Sequence, residues 1–258
     1  MIRVATWNVE WATPETKTGK RIQRIIELID ADIFVLTEGC KELMPEGFML
    51  DGGTDWGYES TDERRRKVLL WSRYPLVDAS DGDGFQLPGG RLIAATVQHP
   101  AGEIRIYGVC IPWRDAHVRT GRKDRTPWED HSTYLEGLRQ LVEQPKSPLV
   151  VAGDFNQRIP RVSQPIIVAE QLSRCLDSLQ VCTALPLDKP LIDHIAISDH
   201  FSFSNVEIIP DRDEHGKLSD HRGAKVDISF KSLPRISKVS PSDHAKGSSP
   251  SRLNTKFD

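Results

Sequence analysis

Polar side chains with metal- and phosphate-handling chemistry gather where short apolar runs end. Asn8 and Glu10 close the run that begins at Ile2, and Glu38 closes DIFVLT. Asp154 and Asn156 follow LVVAG, Asp193 and His194 interrupt LIDHIAI, and Asp220 and His221 precede AKVDISF. A carboxylate just beyond a buried strand is held rigidly while its tip reaches a cleft, the geometry that metal catalysis needs. Glu10, Glu38, Asp154, Asn156, Asp193 and Asp220 form an all-oxygen donor set, which favours Mg²⁺ or Mn²⁺ over zinc. Several carboxylates sharing one cleft repel unless a cation joins them. In-line attack on a phosphate ester needs a positioned water, neutralisation of developing charge and help for the leaving oxygen. A His–Asp pair suits the last two tasks, because the acid orients the imidazole and raises its proton affinity.

The elements that must position these residues are legible in the spacing. Strands are expected at Ile2–Val9, Asp32–Thr37, Val68–Ser72, Leu92–Gln98, Ile104–Cys110, Leu149–Ala152, Leu191–Ile197 and Ala224–Phe230, each a short apolar or alternating run. Helices are expected at Lys20–Asp30, where Ile22, Ile25, Ile26 and Ile29 share one face, at Glu129–Val142 and at Pro165–Leu176. Helices are few and do not alternate strictly with strands. Two packed sheets with helices on their outer faces fit better than a barrel or a doubly wound sheet.

Length and composition agree. The 258 residues suffice for one large α/β domain, and 38% hydrophobic with 28% charged residues suits a soluble enzyme. The net charge of −3 excludes a basic nucleic-acid coat, so attraction to a polyanion has to come from a local patch or a bound metal. From Ser232 on, Ser, Pro, Lys and Gly dominate, and 232–258 reads as a disordered polar tail behind a catalytic domain at 1–231. Cys40, Cys110, Cys175 and Cys182 form no C-x-x-C pair. The chain opens without a secretory pattern and has no membrane-spanning run, so a cytoplasmic protein with free thiols, and a monomer, is expected.

Together these blocks resemble the endonuclease/exonuclease/phosphatase family, which includes abasic-site endonucleases, pancreatic-type deoxyribonucleases, sphingomyelinases and inositol polyphosphate 5-phosphatases. The blocks are TWNVE (6–10), DIFVLTE (32–38), LLWSRYPL (69–76), VVAGDFNQ (150–157), LIDHIAIS (191–198) and LSDHRG (218–223). The resemblance spans residues 2–230, and VVAGDFNQ is its most specific part. It implies a four-layer α-β-β-α sandwich with two packed mixed sheets. It implies that Glu38 binds the metal, that Glu10 lies near a second metal position, and that Asp220 supports the metal or its waters. It implies that Asn8 helps position metal or phosphate, that Asp154 activates the attacking water, and that Asn156 bonds the phosphate or the nucleophile. His221 then donates to a phosphoryl oxygen, with Asp193 holding its ring.

One departure matters. Relatives carry His or Tyr two residues before a proline in the central strand, and here Cys110 takes that place. A thiol is a weak hydrogen-bond donor. The basic stretch after Trp113 holds Arg114, Arg119, Arg122, Lys123 and Arg125, and one of these arginines is expected to take over the contact. Arg114, Arg119 and Trp113 are the expected substrate-binding residues, with nucleic acid or another phosphate ester as partner. His194 is expected to face away from Asp193 and to be structural, and Arg64–Lys67 reads as a solvated turn. Nuclease action is favoured over action on a small phosphorylated or lipid substrate. A phosphate-binding scaffold without catalysis is the reading from another class.

Overall fold

A computed structural model describes residues 1–80 and 87–231. The sequence-expected tail at 232–258 lies outside them.

The strands are β1 (Ile2–Asn8), β2 (Ile33–Gly39), β3 (Phe48–Asp51), β4 (Arg66–Ser72), β5 (Leu76–Ser80), β6 (Leu92–His99), β7 (Gly102–Cys110), β8 (Leu149–Asp154), β9 (Leu179–Val181), β10 (Asp193–Ser198), β11 (Phe201–Ile209), β12 (Arg212–Asp213), β13 (Gly216–Lys217) and β14 (Gly223–Phe230). The α-helices are α1 (Lys17–Ile29), α2 (Glu129–Val142) and α3 (Ile166–Cys175). One six-stranded sheet runs β11-β14-β1-β2-β4-β3 and the other β5-β6-β7-β8-β10-β9; β12 and β13 pair as a small ribbon. Both large sheets are mixed, with β1 parallel to β2 and β7 parallel to β8.

Alternation along the strands builds the layers. From β1, Ile2 and Val4 point between the sheets, where they meet Val35, Val68, Ile106, Val150 and Ile195. Ala5 and Trp7 point to the other face and pack with Phe34, Leu36 and the α1 residues Ile22, Ile26 and Ile29. On the second sheet Val150 and Ala152 face inward, while Leu149 and Val151 pack against Tyr134, Leu138 and Val142 of α2 and Leu172 of α3. The result is the four-layer α-β-β-α sandwich expected from the sequence.

Several boundaries differ, each for a local reason. Helix α1 starts at Lys17 because Thr16 caps it, its Oγ1 accepting from the Gly19 N–H at 2.9 Å. Strand β2 runs on through Glu38 to Gly39, so Glu38 lies inside the strand and not beyond it. Arg66 and Lys67, read as part of a solvated turn, open β4. Strands β3, β5, β9 and β11 and the β12–β13 ribbon were not expected. The apolar residues of β3, β5 and β11 are interrupted or exposed, and β3 and β11 lie at the edges of the first sheet, β5 at an edge of the second.

Candidate active site

The sequence-selected residues come from both sheets and meet at one end of the sandwich. Cys110 at the end of β7 pairs in register with Asp154 at the end of β8, and Asp154 with Asp193 at the start of β10. Asn8 at the end of β1 lies beside Thr37, one residue before Glu38. His221 sits just before β14, which pairs with β1.

The local sequence explains why Asp154 is so placed. Gly153 has φ +142°, and a β-carbon there would lie 1.9 Å from the Val109 carbonyl oxygen. Only glycine lets β8 approach β7 this closely and still aim the next side chain into the cleft. Asp154 is buried and accepts from the Asn8 amide at 3.1 Å, the Asn156 amide at 3.0 Å and the Asn156 backbone N–H at 2.8 Å. The Asn156 amide also donates to the Ile111 carbonyl at 2.8 Å, which uses both of its hydrogens. Asn156 takes φ +52°, a left-handed turn that Asn tolerates.

Asp193 Oδ2 lies 2.7 Å from His221 Nδ1, with Asp193 fully buried. Its other oxygen, Oδ1, is buried without a hydrogen-bond partner. Burial opposes the imidazolium of His221, but the Asp193 and Asp154 carboxylates outweigh it and hold His221 up to about 10. Burial pushes Asp154 up to about 7, with Asp193 and Glu38 adding to the rise and His221 opposing it. Burial likewise raises Asp193. Asp154, Asp193 and His221 offer donor atoms within 4.8 Å of one another.

The remaining candidates surround this centre at different depths. Glu38 is engaged by Lys67, whose Nζ lies 2.5 Å from Oε1. Glu10 is more exposed and pairs with Lys217 at 2.6 Å; its backbone N–H donates to Asn8 Oδ1 at 2.9 Å. Asp220 is largely exposed, with Oδ1 3.8 Å from His221 Nε2. Of the three acids singled out as metal ligands, none falls in the tight cluster with Asp154.

The basic stretch divides. Trp113 and Arg114 line a cleft of about 590 Å³ together with Asn156, Trp128, Arg158 and Gln164, directly beside the centre. Trp113 is 43% exposed. Arg114 pairs loosely with Asp115 at 3.6 Å. Arg122 and Arg125 are held by Asp124 and Asp130, and Arg119 is exposed.

Sequence reasoning missed four contributors. Lys67 was hidden in a charge run. Ser219 donates to the Asn8 carbonyl at 2.7 Å and accepts from the His221 N–H at 3.1 Å, tying the end of β1 to the histidine; its place inside LSDHRG was the available signal. Gln157 donates to the Val168 carbonyl at 3.1 Å and lies 2.8 Å from His131, whose other nitrogen is 2.7 Å from the Pro112 carbonyl. These contacts brace the chain that follows Asp154. His194 does turn away from Asp193, as expected, bonding with Thr183 and the Gln157 carbonyl. Burial pushes all four thiols, Cys110 among them, up to about 12, so none is a ready nucleophile.

Among the described residues no helix is long and apolar enough to cross a membrane. Solved structures share the fold at low identity. An endonuclease/exonuclease/phosphatase from Beutenbergia cavernae is 18% identical with a TM-score of 0.61, the alignment covering 89% of this chain and 71% of that one. The 3′ phosphatase NExo from Neisseria, solved bound to a product DNA hairpin, is 16% identical with a TM-score of 0.63, covering 89% and 100%. The endonuclease domain of TRAS1, a telomere-specific non-LTR retrotransposon, is 16% identical with a TM-score of 0.60, covering 89% and 98%. No curated protein matches the chain. The Endonuclease/Exonuclease/phosphatase family itself matches over residues 5–244. With both sheets, the buried acids and that match in agreement, the chain belongs to the endonuclease/exonuclease/phosphatase family of phosphoester-cleaving hydrolases.

Proposed function

We propose that this protein is a Mg²⁺- or Mn²⁺-dependent nuclease that hydrolyses phosphodiester bonds, with its catalytic unit in residues 1–231. The observation that carries the reading is the buried convergence of Asp154, Asp193 and His221, with Asn8 and Asn156 both bonded to Asp154.

The residues fit a hard divalent cation. Ionising Asp154 beside Asp193 and Glu38 is unfavourable, as its raised pKa records, and a cation relieves that repulsion. The Asp193 oxygen without a partner is a further unsatisfied acceptor in the same place. Glu38, with Glu10 and Asp220 at the rim, would hold Mg²⁺ or Mn²⁺ beside Asp154. Bound, it would neutralise charge on the phosphoryl oxygens.

This chain's own residues supply the rest. Asp154, fixed by two amides, orients a water and accepts its proton. His221, kept protonated by Asp193, turns Nε2 toward the reacting phosphate and stabilises its charge. Asn8 retains one amide hydrogen for a phosphoryl oxygen. Trp113 and Arg114, lining the adjoining cleft, suit a base and its phosphate. The Neisseria 3′ phosphatase with its DNA hairpin and the TRAS1 endonuclease are relatives that support a nucleic-acid substrate. Four free, buried cysteines support a cytoplasmic location.

The test is hydrolysis by the purified protein and by Asp154→Asn with Mg²⁺ or Mn²⁺. The panel holds single- and double-stranded DNA, RNA, bis-p-nitrophenyl phosphate and an inositol polyphosphate. Metal-dependent cleavage of nucleic acid that collapses in the variant supports the nuclease. Preference for the inositol polyphosphate assigns a small-molecule phosphatase instead. No hydrolysis of any substrate by folded, metal-binding protein assigns a scaffold.

A further inference from the structure

Counting hydrogen-bond donors in the cleft exposes a deficit. Asn156 spends both amide hydrogens on Asp154 and Ile111, and Asn8 spends one on Asp154. The Cys110 thiol is buried and a weak donor. A phosphate anion that reaches the acids of this centre meets His221 Nε2 and one hydrogen of Asn8, while Arg114 and Arg158 line the adjoining cleft. Of the arginines after Trp113, Arg122 and Arg125 are tied to Asp124 and Asp130, Arg119 is exposed outside the cleft lining, and Arg114 leans to Asp115 in the adjoining cleft.

Lys67 fills the deficit. Strands β2 and β4 pair with Thr37 opposite Val68 and Gly39 opposite Arg66, which sets Glu38 across from Lys67. The ammonium lies 2.5 Å from Glu38 Oε1 and 5.0 Å from the centre of the Trp11 ring. It is inside the site and not a surface charge: the Lys67 side chain is 11% exposed and that of Glu38 21%. Lys67, Asp154, Arg91 and Glu38 are all among the charged groups near the buried Cys110 thiol. Lys217, the other lysine bonded to a candidate acid, is half exposed on the rim.

We infer that Lys67 is a substrate-facing cation of this site, anchored on Glu38 and supplying the phosphoryl-oxygen contact that Cys110 cannot make. The inference rests on the phosphoesterase reading and names a residue that the sequence pattern had assigned to a turn. An ammonium on a flexible stem can keep one hydrogen on Glu38 and turn the other two toward an anion.

Calorimetry on the full chain tests it without turnover. Inorganic phosphate is titrated in the presence of Mn²⁺, and Mn²⁺ alone is titrated separately, into wild type, Lys67→Met, Lys67→Arg and Glu38→Gln. Lys67→Met should bind phosphate about tenfold more weakly, the size of one lost charge-assisted contact, and Lys67→Arg should recover most of it. Mn²⁺ should bind Lys67→Met at least as tightly as wild type, because a cation beside a ligand carboxylate has been removed. Unchanged phosphate affinity in Lys67→Met overturns the inference. So does weaker Mn²⁺ binding with normal phosphate affinity, which would make Lys67 a mere brace for Glu38. If Lys67→Met does not fold, wild-type phosphate affinity in the conservative Lys67→Arg must persist, and its loss overturns the inference. Unchanged phosphate affinity in Glu38→Gln removes the anchor and overturns it too. The phosphoesterase reading fails separately, by absence of metal-dependent hydrolysis in wild type.

Discussion

His221 Nδ1 lies 2.7 Å from Asp193 Oδ2, joining the loop before the last strand of one sheet to the first residue of a strand in the other. Asp193 thereby fixes which ring nitrogen points into the cleft and, with Asp154, holds the imidazole up to about 10 against the opposing effect of burial. Asp193→Asn should keep the shape and lose the charge. Its kcat should fall about a hundredfold, as for loss of a general-acid or charge-stabilising partner. The His221 titration should move down toward the ordinary histidine range. Rate–pH profiles and NMR titration of the ring protons check both; an unmoved titration would mean that Asp193 does not set the charge of His221.

Asp154→Asn should abolish turnover yet stabilise the protein when divalent cations are chelated. Burial and neighbouring acids raise Asp154 to about 7. An acid with a raised folded pKa binds its proton more readily folded than unfolded. Its ionised form therefore costs stability above about pH 7, and the cost fades as the pH falls through that value toward the unfolded one. At pH 8 with EDTA the variant should melt about 2–5 °C above wild type. The gap should shrink at pH 5. Calorimetric melting at the two pH values decides, and a lower melting point for the variant at pH 8 would contradict it.

Two buried histidines give the opposite pH dependence at the same end of the molecule. Burial depresses His131 and His194 to about 4, against weaker upward effects of the Pro112 carbonyl on His131 and of the Gln157 and Leu191 carbonyls on His194. A histidine with a depressed folded pKa contributes stability that is complete above the unfolded value near 6.5. That stability is lost as the pH falls from there toward 4. Each group accounts for on the order of 3 kcal/mol across that window. Urea denaturation at pH 7.5 and pH 5 should show the loss. Replacing His194 with Gln should flatten the dependence.

Trp113→Ala and Arg114→Ala should separate polymer from small substrate. Both side chains are exposed and line the cleft beside Asn156, so the melting point should not move. KM for single-stranded DNA should rise about tenfold for the tryptophan, the order of one lost stacking contact. Turnover of bis-p-nitrophenyl phosphate should stay within about twofold, since that ligand does not extend beyond the reacting centre. Equal losses on both substrates would place these residues in the chemistry and not in substrate reach.

The order of the acids near strand ends, the glycine before Asp154 and the buried face of α1 are all determined by the sequence alone. They follow from local rules: alternation along a strand, helical spacing of Ile22, Ile26 and Ile29, and the backbone freedom of one glycine. Edge strands β3 and β11 escaped notice because an edge buries too little of its side-chain pattern to stand out. The partners in the site were decided by tertiary structure. Asp193 and His221 are 28 residues apart and reach one another only because the two sheets stack with their catalytic ends together. Lys67 read as one charge in the run Arg64–Lys67, and nothing local marks it off from its neighbours. Only the register of β4 on β2 sets it across from Glu38, since charge patterns specify a solvated surface or a buried pair according to what the facing strand presents.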